Sequence, residues 1–384
     1  MFKYFVILPI AFFASFATVS PAAKFTISEL KFVPGAINEN GDVVGQGAGG
    51  LTVFKNGITE TTPVDHVGST PVYYSFGYSI NDWGYIVGGG YWNGYDQKSF
   101  VMDKYGLVKD LNTLFTNPVY AGKINNSGLI TVNSGGSAYV FDNKNGILKE
   151  APSLYRYYLD FPYDLQDSYK YTTLGNINDT GVAVGSSNVL LGGYHAIMFD
   201  INTGLTTDLT TYFDDPSFYE KNSSANDINE NGVIVGNYDG KAFVYDHGLV
   251  KFLAPVPFYN DFHESIYASA INDSGAVVGN GCDIDFGFFT CDAFYNKNGK
   301  MQLLLDLVSN PSGWELANAV DINNSGQIIG TGFFNGHLAG FILNPLADGV
   351  PEPQNWALLI LGFGAVGTAV RLQKQKKSLL NSEA

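Results

Sequence analysis

The sequence predicts an all-β protein: a seven-bladed β-propeller of four-stranded antiparallel blades, closed by its N-terminal strand. The first observation is composition, because 24 Tyr, 28 Phe and 45 Gly among 384 residues are typical of many short strands joined by tight turns. The second is the pattern Ile-Asn-x-x-Gly, which occurs seven times at spacings of 43 to 53 residues. A repeat of this length indicates a propeller or solenoid array, and the coils of a β-helix are much shorter. The isoleucines of the seven copies are at positions 37, 80, 124, 177, 228, 271 and 322.

Each repeat contains enough strand-forming sequence for one blade. An alternating apolar segment that ends in a polar turn follows the motif, as in "KSFVMDKYG" (98–106) and "HAIMFDINTG" (195–204). A further segment such as "LTTDLTTYF" (205–213) comes next. Four short strands joined by hairpins are the content of one propeller blade.

The motif itself predicts a turn. Asn at the first position and Gly at the fourth are typical of a type I turn closed by a glycine in the left-handed region. A calcium site is the alternative, but these turns supply only one or two carboxylates and no distal acidic ligand. No metal site and no cofactor are therefore expected. Val132 replaces the second glycine of the third copy, so that blade is expected to be irregular. The predicted turn residues are Asn38, Gly41, Asn81, Gly84, Asn125, Gly128, Asn178, Gly181, Asn229, Gly232, Asn272, Gly275, Asn323 and Gly326.

The two ends of the repeat array predict how the ring closes. The last repeat has a third strand, "LAGFILNP" (338–345), but no fourth strand. The segment "KFTISELKF" (24–32) precedes the first motif and has the pattern of the missing strand. Pairing the two would remove two free sheet edges.

The termini lie outside the predicted propeller, which comprises residues 24–346. Residues 1–23 have a lysine, an apolar run and small residues near Ala22, the order of a secretory signal peptide. Residues 347–384 contain an apolar stretch from Trp356 to Val370 and then a basic tail that begins at Arg371. Both ends are expected to be helices that are cleaved, and the C-terminal segment is the only predicted membrane contact.

The C-terminal segment resembles the PEP-CTERM sorting signal. The resemblance rests on Val350, Pro351, Glu352, Pro353, Trp356, the small-residue run "GFGAVG" and the basic end from Arg371, which is longer and richer in lysine than usual. It implies processing by an exosortase and export across the inner membrane of a Gram-negative bacterium. It also implies a final location at the cell surface or in the extracellular matrix.

The repeats themselves are similar to the HAF repeats of bacterial extracellular proteins. That resemblance rests on the turn motif and on His195-Ala196-Ile197 and Lys241-Ala242-Phe243. It implies location and architecture, without a settled activity.

The formal net charge of −15 argues against electrostatic binding to nucleic acid.

Alternating hairpins place the long, aromatic connections together on the face opposite the motif turns, where a rigid scaffold can present binding loops. Tyrosine and tryptophan beside polar groups suit sugar faces and hydroxyls. The candidate binding residues are Tyr73, Tyr74, Tyr91, Trp92, Tyr155, Tyr157, Tyr158, Asp160, Tyr163, Tyr259 and Trp314.

Three functions remain open at this point. The leading prediction is a non-enzymatic surface or matrix protein that associates with exopolysaccharide. A protein-binding propeller is the second. For both, the alternative is that the aromatic rings pack against one another on the loop face and bind nothing. The third is a carbohydrate-active enzyme, a glycosidase or lyase with paired loop carboxylates. Its candidates are Asp160, Asp164, Asp167, Asp214, Asp215 and Asp261.

The chain has two cysteines, Cys282 and Cys291, in the connection between the second and third strands of the sixth blade. In an exported chain this pair predicts a disulfide.

Overall fold

A computed structural model describes residues 23–91, 97–154, 170–189, 193–215, 221–254, 265–285 and 288–346, with side chains left out for 283–289. These ranges contain seven four-stranded antiparallel sheets and one two-stranded hairpin. The sheets are the blades of a seven-bladed β-propeller, which confirms the predicted fold. The propeller lies within a compact unit spanning Lys24–Val350. Residues 1–22 of the predicted signal peptide and the whole predicted sorting signal lie outside the described residues.

We name the strands of each blade A to D from the axis outward; they follow the chain in order in blades 1 to 6, and blade 7 takes its D strand from the N-terminus. The A strands are β2 (Val33–Ile37), β8 (Tyr74–Ile80), β12 (Val119–Ile124), β16 (Thr172–Ile177), β20 (Ser223–Ile228), β24 (Ser265–Ile271) and β28 (Trp314–Ile322). The B strands are β3 (Val43–Gly47), β9 (Ile86–Tyr91), β13 (Leu129–Ser134), β17 (Val182–Asn188), β21 (Ile234–Tyr238), β25 (Val277–Asp285) and β29 (Ile328–Phe334). The C strands are β4 (Gly50–Lys55), β10 (Gln97–Met102), β14 (Ser137–Asp142), β18 (Tyr194–Asp200), β22 (Lys241–Asp246), β26 (Phe288–Lys297) and β30 (His337–Pro345).

The D strands of the first six blades are β5 (Ile58–Thr61), β11 (Val108–Asp110), β15 (Ile147–Glu150), β19 (Leu205–Asp208), β23 (Leu249–Phe252) and β27 (Lys300–Leu303). The small hairpin of β6 (His66–Val67) and β7 (Thr70–Pro71) connects blades 1 and 2. Short 3-10 helices are described at Asn112–Leu114, Leu209–Tyr212 and Leu305–Leu307.

The N-terminal strand β1 (Phe25–Leu30) completes blade 7. It pairs antiparallel with β30, from Phe25 opposite Pro345 to Leu30 opposite Gly340. Phe25 is buried against the last blade, and the Lys24 N–H donates to the Leu307 carbonyl at 2.8 Å. Closure by the N-terminal strand is therefore confirmed.

The core consists of apolar clusters, most of which lie between neighbouring blades. Each cluster combines β-branched and aromatic side chains of adjacent sheets, as where Val184 of blade 4 packs with Ile234 and Phe243 of blade 5. Six phenylalanines of the C strands are almost completely buried: Phe100, Phe141, Phe199, Phe243, Phe294 and Phe341. The faces of neighbouring sheets thus pack against each other through large aromatic rings, and burial of this apolar area stabilises the propeller.

Every A strand contains a β-bulge just before the motif. In blade 4, Leu174 pairs with Gly185 and Asn176 with Val184, so Gly175 has no partner in the ladder. Bulges re-aim side chains, and here they set the residue before each motif isoleucine beside the propeller axis.

Blade 3 differs at this bulge, as Val132 predicts, although it keeps four strands. Here the ladder skips from Ala121 to Ile124, and the Lys123 N–H donates to the Thr131 hydroxyl at 3.0 Å.

Candidate functional site

We call the end of the propeller that carries the seven Ile-Asn-x-x-Gly turns the motif face. The side-chain oxygen of each motif asparagine accepts from the N–H four residues later, at 2.8–3.0 Å. Each following glycine has a φ between +74° and +88° and donates its N–H to the asparagine carbonyl. Glycine adopts this region without the cost that other residues pay. This is the turn that the residue spacing predicts.

The asparagines also link each blade to the next. Each side-chain amide donates to the carbonyl of the corresponding asparagine in the following blade, at 2.7–3.2 Å. The last of the seven bonds runs from Asn323 to Asn38 and closes the circle between blades 7 and 1. The asparagines themselves are 2–6% exposed.

A second ring of hydrogen bonds uses the residue after each asparagine. Its backbone N–H donates to the side chain of the same residue in the next blade, at 2.7–3.0 Å. The bond from Asn324 to Glu39 closes this ring as well. The ring members are Glu39, Asp82, Asn126, Asp179, Glu230, Asp273 and Asn324.

We did not predict the two rings from the sequence, although a signal was present. The residue after each motif asparagine is always Asp, Glu or Asn, and each of these side chains accepts hydrogen bonds. Burial raises the pKa of Glu39 and of Glu230, and neighbouring carboxylates add to the rise while backbone donors oppose it.

The rings surround an axial channel. A cavity of about 110 Å³ opens at the motif face, and a second cavity of about 210 Å³ lies deeper along the inner strands. Both are lined by Lys123, Asp227 and Asp321, which follow bulges in blades 3, 5 and 7. We call these three residues the channel triad.

The channel triad contains the only lysine at the position before a motif isoleucine. The Lys123 Nζ lies 3.6 Å from Asp227 Oδ1, and 32% of its side chain remains accessible because it faces the channel. Asp227 accepts the Ile271 N–H at 2.9 Å, and Asp321 accepts the Ile37 N–H at 3.1 Å.

Burial and charge act in opposite directions on the triad. Burial favours a neutral amine, but Asp227 and Asp321 outweigh it and hold the pKa of Lys123 above its usual value. Burial raises the pKa of Asp321, and Lys123 partly offsets that rise. Within the described residues, no group of three or more His, Cys, Asp or Glu side chains is arranged to hold a metal ion.

Blade 4 contains a histidine–aspartate pair that resembles part of a catalytic array. His195 Nδ1 lies 2.8 Å from Asp208 Oδ2 and 3.0 Å from the Thr210 hydroxyl. The imidazole is completely buried, and Asp208 also caps the short helix Leu209–Tyr212 through the Thr210 N–H. Burial would raise the pKa of Asp208, but the bonds from His195 and Thr210 hold it below the usual range. The pair ties β18 to the turn after β19, which is a structural role.

The opposite end of the propeller, which we call the long-loop face, carries the predicted binding residues. Tyr73 is 81% exposed, and Tyr74 and Tyr91 are each more than one-third exposed. Tyr74 is held by Gln46, whose amide donates to its hydroxyl at 2.8 Å. Several candidates lie outside the described residues: Trp92, Tyr155, Tyr157, Tyr158, Asp160, Tyr163 and Tyr259.

Trp314 differs from the other candidates. Its side chain is 8% exposed, and its ring stacks on Phe334 with centroids 4.8 Å apart. The ring also meets Phe341 edge-on. Trp314 therefore packs in the core of blade 7. The prediction that it belongs to a binding surface is wrong, because its side chain is buried in an apolar cluster.

Four further tyrosines are exposed toward the long-loop end of their strands. None is among the candidate residues, although Tyr171 and Tyr267 end aromatic segments (155–171 and 257–267) that the sequence assigns to this face. Tyr171 and Tyr194 meet edge-on in blade 4, with centroids 5.8 Å apart. Tyr120 and Tyr267 occupy the same position, the fourth before the motif isoleucine, in blades 3 and 6. All four are 43–52% exposed.

The acidic residues proposed for catalysis are only partly described. Asp214 is exposed, and Asp215 accepts from Lys221 at 2.9 Å and from the Tyr238 hydroxyl at 2.7 Å. Asp160, Asp164, Asp167 and Asp261 lie outside the described residues.

Cys282 and Cys291 form the predicted disulfide. The sequence predicts that the two cysteines lie in the connection between strands. The bond instead joins paired residues of β25 and β26, and the ladder between these strands continues to Asp285 opposite Phe288. The connection is thus an extended hairpin that the disulfide crosses.

Comparisons with known proteins assign no activity to this chain. A family model described as "Protein of unknown function (DUF3466)" matches residues 136–251, from blade 3 to blade 5. No curated protein matches the sequence. Within the described residues, no helix is both long enough and apolar enough to cross a membrane.

The solved structures that match the chain are distant from it. The extracellular domain of the one-component system BT4673 from B. thetaiotaomicron is 12% identical, with 84% of this chain and 40% of that chain covered and a TM-score of 0.48. A puromycin-hydrolyzing peptidase from Mycobacterium tuberculosis is 11% identical, with coverages of 78% and 50% and a TM-score of 0.47. Dipeptidyl peptidase 4 from Porphyromonas gingivalis is 8% identical, with coverages of 84% and 53% and a TM-score of 0.44. The chain thus spans about half or less of these structures.

Proposed function

We propose that this protein is an exported, non-enzymatic β-propeller that binds surface or matrix exopolysaccharide through the long-loop face. The observation that carries the proposal is the set of exposed tyrosines on that face. Seven of them, Tyr73, Tyr74, Tyr91, Tyr120, Tyr171, Tyr194 and Tyr267, are at least 36% exposed in blades 2, 3, 4 and 6. A group of exposed aromatic rings on one face is typical of a binding surface, whereas a single exposed ring is not.

The scaffold suits recognition of a sugar surface. The tyrosines stand at or next to strands of a closed ring, so their backbone positions are fixed by antiparallel ladders. Tyrosine offers an apolar face for the C–H side of a pyranose and a hydroxyl for its polar edge. Preorganised rings reduce the ordering entropy lost on binding.

Export is supported by three features of the chain. Residues 1–23 have the pattern of a signal peptide, and Val350-Pro351-Glu352-Pro353 begins a segment that resembles a PEP-CTERM signal. The disulfide between Cys282 and Cys291 fits an oxidising compartment. Under this proposal an exosortase processes the C-terminal segment, and the propeller remains at the cell surface or in the matrix.

A binding experiment with the full chain tests the proposal. Exopolysaccharide from the producing bacterium and a glycan array are the probes, and Tyr171→Ser/Tyr194→Ser and Tyr73→Ser/Tyr74→Ser are the variants. We expect the wild-type protein to bind and each double variant to bind less. Leu249→Ser is the matched control, because Leu249 is 68% exposed on the motif face of blade 5.

Two results would overturn the proposal. One is the absence of binding to every polysaccharide, which would leave a protein partner as the occupant of the face. The other is release of reducing ends or unsaturated sugars from the polysaccharide during incubation. That product would favour the carbohydrate-active enzyme, and Asp214→Asn and Asp215→Asn would then be the first catalytic variants.

A further inference from the structure

The motif face carries a groove between blades 2 and 3, at the end of the propeller opposite the long-loop face. It adjoins the axial channel, with which it shares the wall residues Asn81, Ile124 and Asn126. Its volume is about 380 Å³. The side chains that form its walls include Trp83, Tyr85, Lys104, Asn143 and Lys144.

Trp83 interrupts the repeat pattern. It occupies the third position of the turn, where the other six copies have only small polar residues: Asn40, Ser127, Thr180, Asn231, Ser274 and Ser325. The turn itself does not require tryptophan, because the other copies form the same hydrogen bonds without it. A bulky ring at this one position therefore needs another explanation.

The indole is both exposed and fixed. Trp83 is 65% exposed, yet its Nε1–H donates to the Asn126 carbonyl of the next blade at 3.1 Å. Its backbone N–H donates to Asn81 Oδ1 at 3.1 Å. The ring is thus held across the blade boundary with a large apolar surface open to solvent, which is the geometry of a stacking platform.

The charge of the groove is opposite to that of the protein. The chain has 36 acidic and 21 basic residues, and the neighbouring axial mouth is lined by carboxylates. The groove lining has two lysines and no Asp or Glu. Lys104 and Lys144 are both exposed and lie against the turn glycines, so that a Cβ on Gly128 would be 3.2 Å from Lys144 Cε.

We propose that this groove binds a carboxylate-bearing sugar, a uronic acid unit of an acidic polysaccharide. The indole of Trp83 stacks on the apolar face of the pyranose, and Lys104 and Lys144 neutralise the carboxylate. An acidic polysaccharide of this kind is extracellular, so the inference rests on the proposed export. The groove lies on the face opposite the proposed tyrosine site and would recognise charge as well as a sugar ring.

Titration calorimetry of the full chain with oligogalacturonate tests the inference, with neutral dextran oligomers and poly-glutamate as comparison ligands. We expect oligogalacturonate to bind and the other two to bind much more weakly. Trp83→Ser restores the residue found in three other repeats and should weaken binding about tenfold or more. Lys104→Gln/Lys144→Gln should also weaken it and should reduce its sensitivity to salt.

Matched controls separate this site from the long-loop face and from loss of folding. Lys251→Gln removes an exposed lysine of blade 5 and should leave binding unchanged. Tyr171→Ser/Tyr194→Ser should also leave oligogalacturonate binding unchanged, even if the long-loop face binds nothing. The thermal midpoint of each variant shows whether the propeller is intact.

Three outcomes overturn the inference. Wild-type protein that does not bind oligogalacturonate removes the ligand class. Equal affinity for poly-glutamate removes the sugar and leaves charge alone. Unchanged affinity in both groove variants places the site elsewhere.

Discussion

The motif asparagine carries two structural tasks in one side chain. Asn125 accepts the Leu129 N–H at 2.8 Å through its side-chain oxygen, which closes its own turn. Its amide donates to the Asn178 carbonyl of the next blade at 2.7 Å. Asparagine places an acceptor and a donor on two separate atoms of one short side chain, whereas aspartate has two acceptors and serine has a single hydroxyl. The invariance of Asn over seven copies in one chain follows from that pairing.

Replacement of Asn125 by alanine should be strongly destabilising. The change leaves the Leu129 N–H and the Asn178 carbonyl without these partners at a site that is 6% exposed. An unsatisfied buried group costs about 1–3 kcal/mol, so we expect a loss of roughly 2–4 kcal/mol in the free energy of unfolding. Urea titration measures it. Asn145→Ala, at an exposed C–D turn, should cost less than about 0.5 kcal/mol.

The aspartate variant divides the two tasks. Asn125→Asp keeps an oxygen for the turn but sets a carboxylate against the Asn178 carbonyl. We therefore expect a loss similar to that of Asn125→Ala. If the aspartate variant were as stable as the wild type, the bond between blades would contribute nothing.

At the scale of the strand, the second glycine of the motif is needed for contact and not for a turn. A Cβ on Gly185 would lie 1.9 Å from the Thr173 carbonyl oxygen and 2.9 Å from the Leu174 Cα. In blades 2, 5, 6 and 7 the same position also lies under the C-strand phenylalanine, as where Gly236 lies under Phe243. The bulged A strand and the buried ring together leave room for a hydrogen atom only.

Gly185→Ala should therefore cost more than an ordinary glycine replacement. The close atoms belong to backbone, so the strands must separate, and overpacking of this kind costs about 1–3 kcal/mol. Gly175→Ala is the matched control from the same blade, because a Cβ there meets nothing within 4 Å. Thermal unfolding should show a clear drop for Gly185→Ala and almost none for Gly175→Ala. Equal drops would refute the contact explanation.

Blade 3 is the one blade whose B strand lacks the second motif glycine. Val132 replaces the glycine, and the bulge opens so that the Thr131 hydroxyl receives the Lys123 N–H. Gly122 and Lys123 are thereby freed from the ladder, and Lys123 is the residue that enters the channel. One apolar substitution in a B strand thus accompanies the only cation of the channel triad.

At the scale of the whole molecule, the channel triad connects blades 3, 5 and 7 across the axis. Lys123 has an Asp227 oxygen at 3.6 Å and is the cation that opposes the rise in the pKa of Asp321. Lys123 is 104 positions from Asp227 and 198 positions from Asp321 along the chain, so these interactions depend on a closed ring. Removal of one charge from a buried ionic group is destabilising because the remaining charges stay desolvated.

Lys123→Met should make the protein more sensitive to rising pH. The folded-state pKa of Asp321 is already above its unfolded value, so its favourable contribution is present at low pH and is lost as the pH rises. Without Lys123 that pKa rises further. The lysine itself, with a raised pKa, stabilises the wild type throughout the range below about pH 10.

Urea midpoints at about pH 5 and pH 8 provide the measurement. The difference between wild type and Lys123→Met should be larger at pH 8 than at pH 5. Lys251→Met, an exposed lysine of blade 5, should show the same small difference at both values. A gap that stays constant or narrows with pH would show that the triad is not electrostatically coupled.

The sequence by itself determined the blade count, the turn geometry, the disulfide and the closing strand. These features depend on local rules: residue type within a turn, alternation along a strand, and an unpaired segment at each end of a repeat. The Asn38–Gly41 turn and its six copies can be derived from five consecutive residues. Residues at such short separation meet in any fold that contains the turn.

Only the tertiary structure decided which copies touch. The two hydrogen-bond rings, the channel triad and the groove beside Trp83 all join residues at least 43 positions apart, and a repeat pattern shows each blade separately. The burial of Trp314 was missed for a different reason: it depends on the pairing of β28 with β29 within blade 7, which places Phe334 opposite Trp314. Ring closure brings equivalent positions of neighbouring blades into contact. In that geometry the asparagine of each turn motif also forms a hydrogen bond to the next blade.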